Sequence, residues 1–148
     1  AEVRDRTDAP IPGSTVTFDT SFGRLLATEA ATGADGIAQV RLRAPTRAGL
    51  ARVTAATGGY IRAADLRFVA GAPVNANSAI TVQPASIPAD GVSSATVTVT
   101  LADGNGNPVA DGTAVRLFAS LGTITANDVL TASGRAVFEI VAPASRVP

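Results

Sequence analysis

The chain repeats itself, and the repeat is out of step with the chain's own ends. Residues 3–47 lie over residues 101–145 at an offset of 98, slipping to 99 across a one-residue gap. Asp5 falls on Asp103, Pro10 on Pro108, Gly13 on Gly112, Val16 on Val115, Ser21 on Ser120 and Gly23 on Gly122. After a compensating gap, Gly36 falls on Gly134, Ala38 on Ala136, Ala44 on Ala142 and Pro45 on Pro143. A period of this length belongs to a sandwich domain, not to a solenoid turn. The phase predicts a window cut from a tandem array, with the first copy short of its beginning and the second short of its end. The absence of Met points the same way, to a processed or excised piece.

Strand periodicity dominates both copies. Val16 and Phe18 alternate with Thr15 and Thr17. Ala38, Val40 and Leu42 alternate with Gln39, Arg41 and Arg43. Ala51, Val53 and Ala55 form another inward set, and residues 60–69 follow as a last strand with Leu66 and Phe68 as expected core. Gly58-Gly59 between those two strands reads as a hairpin turn. In the second copy Ala79–Gln83 is a strand. Ser93–Leu101 is the cleanest alternation, with Ala95, Val97, Val99 and Leu101 on one face and Thr96, Thr98 and Thr100 on the other. Residues 103–108 (DGNGNP) form a turn, Val115 and Leu117 mark the next strand, and Gly134 turns the chain into Ala136–Val141. No stretch has helical period. Turns every eight to twelve residues predict an all-β, mostly antiparallel sandwich architecture. A single permuted sandwich over 48–148 would require residues 70–75 to run back along a domain, and six residues reach at most ~20 Å.

Composition narrows the chemistry. The chain has no Cys and no His, and all twelve of its cations are Arg. Disulfides, thiolate metal sites, imidazole general bases and Schiff bases are therefore all excluded. Ser93, Ser94 and Ser120 have no base to activate them, and no Gly-x-Ser-x-Gly elbow is present, so no catalytic residue is expected. No run of ~20 apolar residues could span a membrane as a helix.

Three groups of residues merit attention. Asp103-x-Asn105-x-Asn107 begins like a calcium loop, but Pro108 and Ala114 stand where the loop needs Gly and a bidentate acid. Asn and Gly supplying positive φ in a turn explain the same residues. Calcium is thus the one cofactor candidate, with Asp90 and Asp111 in comparable Asp-Gly turns. Arg41 and Arg43 share a strand face with Gln39. That face reads either as solvated surface or as a site for acidic polysaccharide or an acidic neighbouring domain; it lacks the aromatic interleaving of a nucleic-acid site. Residues 1–72 carry nine Arg against seven acids, and 73–148 carry three against five, giving +2 and −2. Gly71-Ala72-Pro73-Val74 breaks the strand pattern and reads as a stiff junction. Tyr60, the single tyrosine, reads as a domain-end packing residue or an anchor for a partner.

Residues 78–124 carry a Pro-Ala-Asp-Gly turn at 88–91, the Ser-Ser-Ala-Thr-Val-Thr-Val-Thr strand at 93–100 and Gly-Asn-Pro-Val at 106–109. Ser120 with Gly122, and Gly134 with Ala136, complete the pattern. This resembles the bacterial immunoglobulin-like (Big-1) repeat of intimin and invasin. The first copy keeps the glycines, Pro10 and the segment 49–55, but has Thr7-Asp8-Ala9 at its turn. The resemblance implies tandem Ig-like sandwiches: 1–72 without its first strands and 73–148 without its last. It further implies an extracellular or cell-surface setting, with neighbouring Ig-like repeats as partners and any host receptor or polysaccharide bound by regions outside the segment. Three functions fit: a non-catalytic spacer of a cell-surface adhesin, a filament or surface-layer segment assembled by strand exchange between chains, and an accessory binding module of a secreted protein.

Overall fold

The computed structural model describes residues 1–144 and is built from strands, with one short 3-10 turn at Asn75–Asn77. It divides into two compact units, Ala1–Phe68 and the remainder from Val69 onward. In the first unit, β1 (Thr15–Thr20), β2 (Arg24–Leu25), β3 (Glu29–Ala31), β4 (Leu42–Arg43), β5 (Gly49–Thr57) and β6 (Tyr60–Phe68) follow in order. They form an antiparallel four-stranded sheet β3-β1-β5-β6 and a two-stranded ribbon β2–β4. Gly58 and Gly59, both at positive φ, close the β5–β6 hairpin as the sequence predicts. Two consecutive left-handed residues match the twist of a two-residue hairpin, and glycine adopts them without steric cost.

The second unit contains β7 (Ala79–Gln83), β8 (Ser94–Thr100), β9 (Ala114–Arg116), β10 (Thr123–Ile124), β11 (Asp128–Leu130) and β12 (Arg135–Val141). Here the four-stranded sheet is β10-β12-β8-β7 and the ribbon is β11–β9. β8 runs along β12 for seven residue pairs, from Thr100 opposite Arg135 to Ser94 opposite Val141. Val97, Ala136 and Phe138 form the centre of the core, packed by Val99, Val115, Leu117, Ile124, Val129 and Ile140. Of the inward set expected on β8, Ala95 and Val97 are buried, while Val99 and Leu101 at its end are half-buried.

The first unit differs from expectation at one core residue. Val16, Ala38 and Ala51 are buried, and Phe68 meets Phe22 edge-on with ring centroids 6.0 Å apart. Leu66, however, is 45% exposed. The reason is sheet order. β6 is the outermost strand of its sheet and has a neighbour, β5, on one side only. Tyr60, which shares the Leu66 face of β6, is 74% exposed rather than packed against a domain end.

Buried hydroxyls were not evident from the sequence. Thr32 Oγ1 donates to the Ile11 carbonyl at 2.6 Å and accepts the Ser14 N–H at 2.8 Å. Thr131, its counterpart at the offset of 99, donates to the Ala110 carbonyl at 2.8 Å and accepts the Thr113 N–H at 3.0 Å. Thr is common on the outer faces of these strands, so its identity carried no signal. The coincidence of Thr32 with Thr131 across the repeat was the available clue.

Candidate functional site at the junction

The junction is held by the turn that follows β8. Asp103 is 5% exposed, and N–H donors surround its carboxylate. Oδ1 accepts the backbone N–H groups of Asn105 and Asn107, each at 2.9 Å. Oδ2 accepts the Asn107 side-chain amide at 3.0 Å and the Gly71 N–H at 2.9 Å. The Asp103 carbonyl in turn accepts the Asn77 side-chain amide at 2.7 Å. Val74 donates its N–H to the Ala102 carbonyl at 2.9 Å, and its own carbonyl accepts the Ser78 hydroxyl at 2.8 Å. The junction residues Gly71–Val74 are thus fastened into the second unit at both ends, and Ala72 and Pro73 lie between the two fastenings.

Bonds from so many donors favour the charged carboxylate. Asn107 contributes most and the Gly71 N–H next, and they lower the Asp103 pKa to about 2. Asp90 reaches the same value in its own turn. The Ser93 hydroxyl contributes most, at 2.7 Å, followed by the Ser93 and Val92 N–H groups.

Of the three calcium-loop residues, the structure brings Asp103 and Asn107 side chains together, while Asn105 contributes its backbone N–H. A calcium ion requires converging oxygens. To take one, the Asp103 carboxylate would have to release its donors, and Asn107 turns its NH2 toward it. Asp111 lies in a separate turn, accepting the Ser133 N–H at 2.6 Å. Among the described residues no three acidic groups converge.

The first copy shows what is particular to Asp103. Asp5, its counterpart, accepts the Thr7 hydroxyl, the Thr7 N–H and the Ala9 N–H within its own turn. Asp8 there adopts φ +66°, the left-handed conformation that Gly106 adopts at +80°. The substituted turn therefore keeps the same backbone course.

Arg41 and Arg43 are exposed on β4 and the residues just before it. The register adds a residue that sequence reasoning missed: Arg24 on β2 stands directly opposite Arg43. Only strand pairing could reveal it, because 19 positions separate the two in sequence.

Residues 1–69 match the family of bacterial Ig-like domains, group 1, and residues 74–145 match invasin domain 3. Both units are bacterial Ig-like repeats of the invasin and intimin kind. These repeats are similar to the crystal structure of invasin, a bacterial integrin-binding protein, at 26% identity and a TM-score of 0.50. That likeness covers 97% of this chain and 29% of the invasin chain, so the repeats span under a third of that relative. The D0–D1 domain of intimin is also similar, at 22% identity and a TM-score of 0.42, over 95% of this chain and 73% of that one. No curated protein sequence matches the chain.

Proposed function

We propose that the chain is a non-catalytic spacer segment of a bacterial cell-surface adhesin, two Ig-like modules in a longer stalk that carries a distal binding region away from the cell. The observation that carries this reading is the junction. β6 ends at Phe68 and the next unit's hydrogen bonds begin at Gly71, so only Val69 and Ala70 lie between two folded modules. So short a connection suits the transmission of tension along a rod. Invasin, a bacterial integrin-binding protein that contains similar modules, supports the reading; receptor binding, where it occurs, is assigned to regions outside this chain.

Removing both repeats from the parent protein tests it. Adhesion of whole cells is expected to fall, while the affinity of the isolated distal region for its soluble receptor stays unchanged. Unchanged whole-cell adhesion overturns the spacer role. Antibody labelling of intact cells checks the surface location.

Strand exchange between chains is the second reading, favoured by one observation: among the described residues β9 pairs only with β11, whereas its counterpart β1 also carries β5. The mass of the denatured natural polypeptide separates the two readings. A mass well above 14.7 kDa favours a stalk, and a mass near 14.7 kDa favours assembly by exchange.

A further inference from the structure

We propose that the outer face of the β2–β4 ribbon is a docking surface for an anionic polysaccharide, with Arg24, Arg41 and Arg43 as its anion-binding residues. Arg24 and Arg43 are cross-strand partners, and Arg41 lies two residues from Arg43 on the same side. Like charges placed directly opposite each other destabilise a ribbon. Of the other described arginines, Arg4 meets Glu2 and Asp8, Arg52 meets Asp65, and Arg116 meets Asp128, whereas Arg6, Arg47, Arg62, Arg67 and Arg135 stand outside ion pairs without a second arginine directly across a strand pair. Among the described residues no ion pair engages Arg24, Arg41 or Arg43.

The second unit supplies an internal control. Its β10–β12 ribbon has the same pairing, with Thr123 opposite Val141. At the offsets of 99 and 98, Thr123, Glu139 and Val141 stand where the first unit has Arg24, Arg41 and Arg43. The fold therefore does not need arginine at these positions. A threefold concentration of unpaired guanidinium groups that the framework does not require fits a ligand bearing several anions. Guanidinium forks pair bidentately with carboxylate or sulfate.

The surroundings favour sugar over nucleic acid. Beside Arg41 lies a hollow of about 390 Å3 lined by Leu26, Ala27, Gln39 and Val40. Leu26 is 60% exposed and offers an apolar surface, and Gln39 offers an amide to hydroxyl groups. Single-stranded nucleic acid would call for aromatic stacking platforms, and no aromatic residue lines the hollow.

The test measures binding of the chain to heparin and to polygalacturonate, with oligo-dT as comparator. The variant R24T/R41E/R43V installs the residues that the second unit already tolerates, so the fold is retained, as circular dichroism would verify. R52Q/R62Q/R67E removes the same net charge elsewhere. The first variant is expected to weaken polysaccharide binding by roughly tenfold, as three exposed ion pairs would, and the second to leave it within about twofold. No binding by the native chain, equal loss in both variants, or tighter binding of oligo-dT overturns the proposal.

Discussion

Asp5 and Asp103 sit at one place in two copies of the same turn, yet only Asp103 also accepts a bond from outside its turn, the Gly71 N–H near the start of its unit. Replacing Asp103 by Ala leaves the Gly71, Asn105 and Asn107 N–H groups without their acceptor. The expected result is faster hydrogen exchange at Gly71 and a lower unfolding midpoint for the second unit. Acid should act on the same bond. The Asp103 pKa falls from its ordinary 3.8 to about 2 on folding, so its contribution is complete above pH ~4 and is lost as pH drops through about 2. Urea titrations between pH 5 and pH 2 should show stability falling in the native chain and falling less in D103N. Asp90, which shares the window, accounts for part of the residual slope. Glycines divide just as clearly. A Cβ at Gly134 would lie 2.7 Å from the Pro108 Cβ and 2.8 Å from the Leu101 carbonyl, whereas at Gly112 it would meet nothing within 4 Å. Both have positive φ, +72° and +82°. G112A should cost about 1 kcal/mol from backbone strain alone, and G134A about 2 kcal/mol or more because overpacking adds to it. Chemical denaturation of the two variants measures the difference.

Four strands are common to both units, and they pair identically: β1 with β3 and β2 with β4, then β9 with β11 and β10 with β12. What differs is the added hairpin. β5–β6 extends the β1–β3 ribbon into a sheet, and β7–β8 extends the β10–β12 ribbon into the opposite one. The strands themselves were legible because period-2 alternation is local: Ala95 and Val97 on β8, and Val16 on β1, are buried as their spacing requires. Exposure of Leu66 was not legible, because it depends on which strand is outermost in a finished sheet. Nor was the Arg24–Arg43 pair, which exists only once register is set. The position of a strand also separates aromatic residues of equal size. Phe138 is buried on β12, in the middle of its sheet, while Phe118 lies beyond β9 and is 82% exposed. F138A should therefore cost about 3–5 kcal/mol and F118A no more than about 0.5 kcal/mol, read from the urea midpoints of the second unit.

At the scale of the molecule, each unit has one full sheet faced by a ribbon, and the outermost strand of each sheet keeps apolar side chains open. Leu66 and Tyr60 on β6 and Ile80 on β7 are the examples. The second unit shows what would close the first. There β8 lies along β12, setting Val97 opposite Phe138 and Ala95 opposite Ile140. At the offset of 98, those β12 positions correspond to Val40 and Leu42. The start of such a strand already exists in the first unit, where Glu2 bridges to Ile37 and the Ala38 N–H donates to the Ala1 carbonyl at 2.8 Å. Fusing a copy of residues 75–98 ahead of Ala1 would continue that pairing along 39–43 and bring a β7-like strand over the open side. Burial of a Leu- or Tyr-sized side chain is worth ~1.5–3 kcal/mol, and in a small domain each kcal/mol raises the midpoint by ~4–8 °C. The extended chain should therefore melt its first unit roughly 10 °C higher and bind less of a hydrophobic dye. A scrambled extension of the same composition should do neither. Equal effects from both would mean that added chain length, not strand register, is what stabilises the unit.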